Sequence, residues 1–391
     1  MDVFLSQLDP RQRPKGTRDS LGFEQIWTSY GRKVVVGITT ITSSLDNFIV
    51  ALIGFYLSEK YTDNPKEQAN FFMRYEQLIA YMRLERDTKA NILGISKAKK
   101  NMQEKNKILS IQNQILSNQL SYGLWGLYST ALSDVGLIKN RILIQDGYEI
   151  IDIAKEEYQK FFNYIVKQCK DENTSNLNYK HHIESLFELL SNKLIRSKIL
   201  KALLKKSTLY SYIKKGGELF CDNNSKNLII ITDSIINNNS LDKKLRDDIA
   251  DIRKIDKVML VINKLFNALS HANNDGQNIS QFIKHMSVLS LPNNLELPAG
   301  SFRNKDLLIE FVANINNKNY LIALKAILKI NENIMKDRNS IPWIEVDDSG
   351  KLKIRVKTHS VLTEEEKFDG MAYNYFICSY LNIAKHLKAS L

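Results

Sequence analysis

A mainly α-helical protein, with an N-terminal helical domain containing a winged helix-turn-helix and a C-terminal helical domain carrying one β-hairpin, is predicted by three features of the sequence. Apolar residues recur at three- and four-residue intervals through most of the chain, the spacing that lines one face of a helix. Between Ser117 and Lys155 a helical pattern, a glycine stop, a short alternating stretch and a new helix start follow one another. Alternation on either side of Asp347-Asp348-Ser349-Gly350 marks the clearest hairpin.

In chain order, residues 1–20 are rich in Pro, Arg and Asp and read as an extended arm. Its Arg11, Arg13, Lys15 and Arg18 suit phosphate, and an arm of this kind also serves as a solvated tail or an intersubunit strap. A helical domain follows over 21–170. Its first helix, Leu21 to Val36, buries Phe23, Ile26, Trp27, Tyr30 and Val34 and is broken by Gly37. Thr39 to Ser44 then supply an N-cap for Leu45 to Tyr61, which is apolar nearly all round and so is the expected central helix. After the turn at Asn64-Pro65, Lys66 to Asp87 forms another helix, Ile92 to Lys107 a short one with a basic side, and Ile108 to Leu116 the first half of the helix-turn-helix.

The second half is the best marked. Leu124, Leu127, Tyr128, Ala131, Leu132 and Val135 place an apolar stripe on a helix from Ser121 to Val135, and Gly136 stands where a left-handed residue closes it. Arg141 to Gln145 reads as a short strand, the wing. Asp146 and Glu149 have the spacing of a capping box for a third helix reaching Gln168. A base-reading helix presents Arg, Lys, Asn or Gln near its start, yet Ser121 to Ile138 contains no Lys or Arg. Tyr122 and Trp125 make it equally a candidate protein-docking helix, and the cations flank it in Lys97, Lys99, Lys100, Lys139 and Arg141. Such flanking charges hold phosphates without reading sequence.

Residues 171–180 form a polar linker, and a second helical domain spans 181–391. Its first helix spans His182 to Tyr212, and no acidic residue occurs between Glu188 and Glu218. Lys193, Arg196, Lys198, Lys201, Lys205, Lys206, Lys214 and Lys215 make that stretch the preferred phosphate-backbone surface. The plainer reading is an amphipathic helix whose Lys stems cover the edge of the core. Helices at Asn227 to Asn237, Leu241 to Ser270, Ile279 to Leu289, Lys305 to Asn314 and Tyr320 to Asp337 lead to the hairpin, and Phe368 to Leu387 closes the chain as a helix.

With 391 residues the chain is long enough for two or three domains. A net charge of +12 favours an acidic partner, nucleic acid first and a membrane surface second. Lys, Ile and Asn are all abundant, as in the products of AT-rich genes, which raises Lys without a functional cause. Cys169, Cys221 and Cys378 are far apart and form no CxxC pair, which argues for free thiols in a reducing compartment. Phe48 to Leu57 is shorter than the ~20 apolar residues a bilayer requires, and the first residues lack the apolar run of a signal peptide. A cytoplasmic protein with no membrane partner is expected.

Chemistry is not spelled out. His181, His182, His271, His285, His359 and His386 fall in no metal-binding array, and Lys214-Lys215-Gly216-Gly217 lacks P-loop spacing. No metal or other cofactor is therefore expected. An enzymatic alternative is a metal-dependent nuclease in which Glu345 and Asp347 join Lys351 or Lys353.

The segments DSLGFEQIW, GITTITSSLDNFIVALIGFYL, YGLWGLYSTALSDVGLI and RNSIPWIEVDDSGKLKIRV together resemble a group of uncharacterised bacterial proteins encoded in anti-phage defence islands. The resemblance implies a subunit of a restriction-like defence system and carries no catalytic residues with it. A nonenzymatic subunit that binds double-stranded DNA with little sequence preference, or scaffolds an ATPase or nuclease partner, is the resulting expectation. Its rivals are a pure protein-docking assembly subunit, the nuclease, and a sequence-specific winged-helix regulator.

Overall fold

A computed structural model describes residues 19–175, 177–221, 225–363 and 368–388. In chain order the elements are α1 (Phe23–Val34), α2 (Leu45–Tyr61), α3 (Pro65–Arg86), α4 (Ile95–Gln103), α5 (Gln119–Tyr122), α6 (Leu124–Asp134), β1 (Ile138–Lys139), β2 (Ile142–Leu143) and α7 (Gln145–Cys169). Then come α8 (Ile183–Ser191), α9 (Lys193–Lys205), α10 (Tyr210–Lys214), α11 (Ser225–Ile236), α12 (Lys243–Leu269), α13 (Ile279–Val288), α14 (Lys305–Asn316), α15 (Tyr320–Asp337), β3 (Ile344–Val346), β4 (Leu352–Ile354) and α16 (Ile377–Lys388). The protein is mainly helical, with two small antiparallel two-stranded sheets. The expected arm lies almost wholly outside the described residues; Asp19 belongs to the folded chain, where its carboxylate accepts from the N–H groups of Phe23 and Glu24 at the start of α1.

The chain divides into two compact units that interleave along the sequence. One comprises the described residues up to Val34 with Cys221–Tyr375, the other Val35–Phe220 with the residues from Phe376. The expected boundary at 171–180 is therefore corrected: those residues lie inside the second unit, where the Leu109 N–H donates to the Thr174 carbonyl at 3.0 Å. Both ends of the chain also depart from a simple two-domain order. α1 packs on α12 within the first unit, and α16 packs on α9 within the second.

The second unit is built around α2 and α3. Leu45 and every residue from Asn47 to Ser58 are buried on α2, as its all-round apolarity predicts. Ser44 is its N-cap, accepting from the Asn47 N–H. α3 is buried along Phe71–Leu84 although it carries Arg74, Glu76, Gln77 and Arg83 there. Each of these is matched: Arg74 Nε donates to the Cys169 carbonyl at 2.6 Å, Gln77 exchanges bonds with the backbone of Ser110, and Arg83 donates to Asn47 Oδ1 at 2.6 Å.

α6 ends as the sequence predicts. Gly136 has φ +81°, the Leu137 N–H donates to the Leu132 carbonyl at 2.9 Å and the Gly136 N–H to Ser133, the paired bonds of a Schellman motif. β1 and β2 follow as a tight hairpin pairing Ile138 with Leu143. Asn140 and Arg141 both have positive φ, so the connection is a two-residue type I′ turn. The strand is thus Ile142–Leu143 rather than Arg141 to Gln145.

Two expectations about the helix-turn-helix are corrected. Ile108 to Leu116 forms no helix: Gln77 and Gln119 take the backbone groups of Ser110 and Ile115, fixing an irregular segment instead. Only the single turn α5 lies between α4 and α6, so a helix–hairpin–helix is present and the helix-turn-helix assignment is not borne out. Nor does Asp146 cap the third helix, since α7 begins at Gln145 with Ile144 at the N-cap. Gly147 on its first turn lies so close to the Leu137 carbonyl that any Cβ would collide with it.

His182 to Tyr212 is likewise not one helix. Asn192 leaves helical geometry and caps α9, accepting from the N–H groups of Leu194 and Ile195, so the stretch divides into α8, α9 and α10. Cys169 is a buried free thiol, whereas Cys221 and Cys378 are disulfide-bonded, which corrects the reading of all three as thiols.

In the first unit α12 is the central helix, packed against α1 and α11. Its buried Asp256 accepts from the backbone N–H groups of Ala372 and Tyr373, and Trp27 of α1 stacks on Tyr373 with ring centroids 5.5 Å apart. These bonds hold residues 370–375 as a loop, with Tyr375 and Phe376 in left-handed geometry, so the closing helix starts at Ile377 and not at Phe368. β3 and β4 pair Ile344 with Ile354 and Val346 with Leu352, and Gly350 supplies positive φ in the turn, as the alternation predicts.

Candidate nucleic-acid interface

The basic stretch becomes a surface because of how α9 is seated. Ile195, Ile199, Leu200, Leu203 and Leu204 are buried, and the helix packs on α2, α7 and α16. Spacings of four, three and four residues place Leu194, Lys198, Lys201 and Lys205 in a row on the opposite side. Leu194 is 52 % exposed, and Lys201 and Lys205 are open to solvent. Lys206, Lys214 and Lys215 extend the exposed charge toward and through α10, and Lys193 stands at the start of α9.

The cations are not equivalent. Arg196 turns inward, donating to Asp46 and to the Leu190 carbonyl, each at 2.7 Å, with His386 Nδ1 3.4 Å away. It is a structural residue of the α2–α9 junction, and its assignment as a phosphate ligand is corrected. Lys198 reaches Glu149 of α7 at 3.7 Å, an exposed pair that contributes little. Lys214 lies 5.5 Å from the centre of the Tyr210 ring. Lys193, Lys201, Lys205, Lys206 and Lys215 have no carboxylate within ion-pair distance among the described residues.

The flanking cations fall into two groups. Lys139 and Arg141 project from the hairpin, and β2 packs on the same α7 that carries Glu149, so the hairpin and α9 both border α7. Lys97, Lys99 and Lys100 sit on α4, which packs on α3; Lys100 pairs with Glu104 at 3.7 Å.

α6 carries no Lys or Arg. Glu76, buried on α3, accepts from the Leu124 N–H at 2.8 Å and from Gln119 Nε2 at 2.9 Å, so the first turn of α6 is anchored in the core. Burial pushes the Glu76 carboxyl up to about 7, against the lowering effect of those two bonds. Trp125 is 4 % exposed, packed between Phe55 and Phe72 at 5.2 Å from each ring, with the Arg141 guanidinium 5.0 Å above it. Its assignment as a docking residue is therefore corrected: the ring is filled from within the chain. Tyr122, 60 % exposed, keeps the accessibility that a docking residue requires.

Two residues that sequence reading passed over stand out on the hairpin. Ile142 and Ile144 are exposed on either side of buried Leu143. The period-two alternation of Ile142-Leu143-Ile144 was the available signal. Behind them Glu59 holds the hairpin, accepting from the Leu143 N–H and the Tyr148 hydroxyl.

The carboxylates of the nuclease alternative are otherwise engaged. Glu345 pairs with Arg355 at 2.5 Å, and Asp347 Oδ1 accepts from the backbone of Ser349 and Lys351 and from the Ser349 hydroxyl as an Asx turn. Among the described residues no group of three or more His, Cys, Asp or Glu side chains is placed to hold a metal ion, and no helix is long and apolar enough to cross a membrane. Comparison of the chain with known protein families, with characterised proteins and with solved structures finds no match.

Proposed function

We propose that this protein is a nonenzymatic subunit that binds double-stranded DNA through its phosphate backbone, with little sequence preference, and couples it to an ATPase or nuclease partner in a bacterial anti-phage system. The observation that carries the DNA part is the acid-free stretch from Lys193 to Lys215, in which Lys193, Lys201, Lys205, Lys206 and Lys215 are exposed and lack carboxylate partners among the described residues. A surface of that kind releases counterions from a polyanion and reads no base. The Lys- and Arg-free α6 favours this over a sequence-specific regulator. The cytoplasm is the compartment of that reading, and it rests on DNA alone now that two cysteines are bonded.

Binding of the full chain to a random-sequence duplex across a salt series tests it. Affinity is expected to fall steeply with salt, and K201E/K205E/K206E to lower the slope by about 0.9 for each phosphate that is no longer neutralised. No binding at low salt, or an unchanged slope in that variant, overturns the assignment. The hairpin favours a second reading, a protein-docking subunit, because Ile142, Ile144 and Tyr122 are all exposed.

A further inference from the structure

We infer that the lysine surface of α9 and α10 also takes single-stranded DNA, gripping it by the stacking of an unpaired base on Phe220. The inference rests on the reading of that surface as one that tracks phosphates, and it adds a base-dependent hold that a duplex cannot use.

The chain after α10 aims the ring outward. Residues 218–221 alternate, with Leu219 and Cys221 buried and Glu218 and Phe220 exposed. Phe220 remains 54 % exposed although its neighbours on both sides are drawn into the core. Lys385 of α16 lies over it, the ammonium 4.9 Å from the ring centre. That ammonium is held by Asn382 Oδ1 at 2.7 Å and has no carboxylate within ion-pair distance among the described residues.

The seating of α16 sets this pair beside the lysines. The helix packs along α9, with His386 3.4 Å from Arg196 near one end and the Tyr380 hydroxyl donating to the Leu204 carbonyl at 2.9 Å near the other. Lys385, next to His386, therefore borders the helix whose outward row carries Lys198, Lys201 and Lys205. A second ring lies in the same region: Tyr210 of α10 is within electrostatic reach of Tyr380, and Lys214 stands 5.5 Å from the centre of its ring. Lys385 and Tyr380 are five residues apart, about 7.5 Å of helix rise, close to two nucleotide steps of about 3.4 Å. All of these residues belong to the second unit.

Rings set among cations select an unpaired strand. In a duplex the base faces are stacked on one another, and only phosphates and groove edges meet a protein surface. A single strand offers a π face at every base, and aromatic side chains beside lysines combine stacking with phosphate neutralisation whatever the sequence. Glu218, the only acid among residues 193–221, is exposed on the same side of the chain as Phe220 and opposes the phosphates there.

The test is fluorescence polarisation of three labelled probes titrated with the full chain: a mixed-sequence DNA single strand, its hairpin duplex, and a strand of equal length made of abasic sites. Phe220→Ala is expected to weaken the single strand at least about fivefold and to leave the duplex unchanged. Phe220→Leu should do the same and Phe220→Trp should restore binding, because the ring and not its apolar bulk is required. The abasic strand should bind the wild type as weakly as the base-bearing strand binds F220A. Glu218→Gln should tighten the single strand. Equal affinity of the wild type for base-bearing and abasic strands overturns the inference, as does an unchanged affinity of the single strand for F220A. Should F220A lower the thermal midpoint, the abasic comparison on the wild-type chain decides. Duplex binding that K201E/K205E/K206E weakens, without any dependence on bases in the single strand, overturns this inference alone; loss of all three probes at low salt overturns the phosphate-tracking surface with it.

Discussion

The Glu76 carboxylate accepts the Leu124 N–H at 2.8 Å, joining the middle of one core helix to the first turn of another. Gln119 Nε2 donates to the same carboxylate, and Gly123, the N-cap of α6, has no Cβ because Glu76 oxygens occupy the space one would need. The start of α6 is therefore set by a buried acid on a distant helix and not by a cap within its own sequence.

A pH dependence of stability follows. Burial raises the Glu76 carboxyl from 4.5 to about 7 in the folded chain, so the native state holds a proton that the unfolded state releases. Its stabilising contribution is complete below pH 4.5 and lost as pH rises through about 7, at most about 3 kcal/mol. Denaturant midpoints measured from pH 5 to pH 8 are expected to fall for the wild type relative to E76Q. Parallel curves for the two proteins would show that Glu76 does not titrate in this range.

Trp125 tests whether α6 serves the core or a partner. Packed between Phe55 and Phe72, it should cost about 3–5 kcal/mol on conversion to Ala, measured by chemical denaturation of the isolated chain. Tyr122→Ala should change stability by less than about 0.5 kcal/mol, because the side chain is largely exposed. Equal effects would contradict this placement.

Gly136 isolates a backbone term. A Cβ there would meet nothing within 4 Å, so Gly136→Ala carries only the strain of φ +81°, about 1–2 kcal/mol. Gly147→Ala should cost more, since its Cβ would strike the Leu137 carbonyl. Thermal unfolding of the two variants gives the order.

Arg196 and Lys201 should separate structural from surface charge. Arg196→Ala strips Asp46 and the Leu190 carbonyl of a half-buried donor and is expected to destabilise by about 1–3 kcal/mol. Lys201→Glu should leave stability within about 0.5 kcal/mol and act only on salt-dependent DNA binding. A stable R196A would return Arg196 to the candidate interface.

Local chemistry carried much of this fold in the sequence itself. The all-round apolarity of Leu45 to Tyr61 is enough to bury α2, the sequence Val135-Gly136-Leu137 closes α6, and the turn at Asp347 to Gly350 makes a hairpin, because each depends on residues within a few positions of one another. What only the tertiary structure decided depends on partners distant in sequence. Gln77 and Gln119 turn Ile108 to Leu116 away from the helix expected there, and Asp256 delays the last helix to Ile377. The lysines of α9 and Arg196 have the same claim on phosphate by charge alone, but Asp46, 150 residues away, takes the guanidinium and leaves Lys201 and Lys205 to solvent. A charge pattern fixes which residues are able to meet an anion; burial and pairing, which are nonlocal, determine which of them remain free to do so.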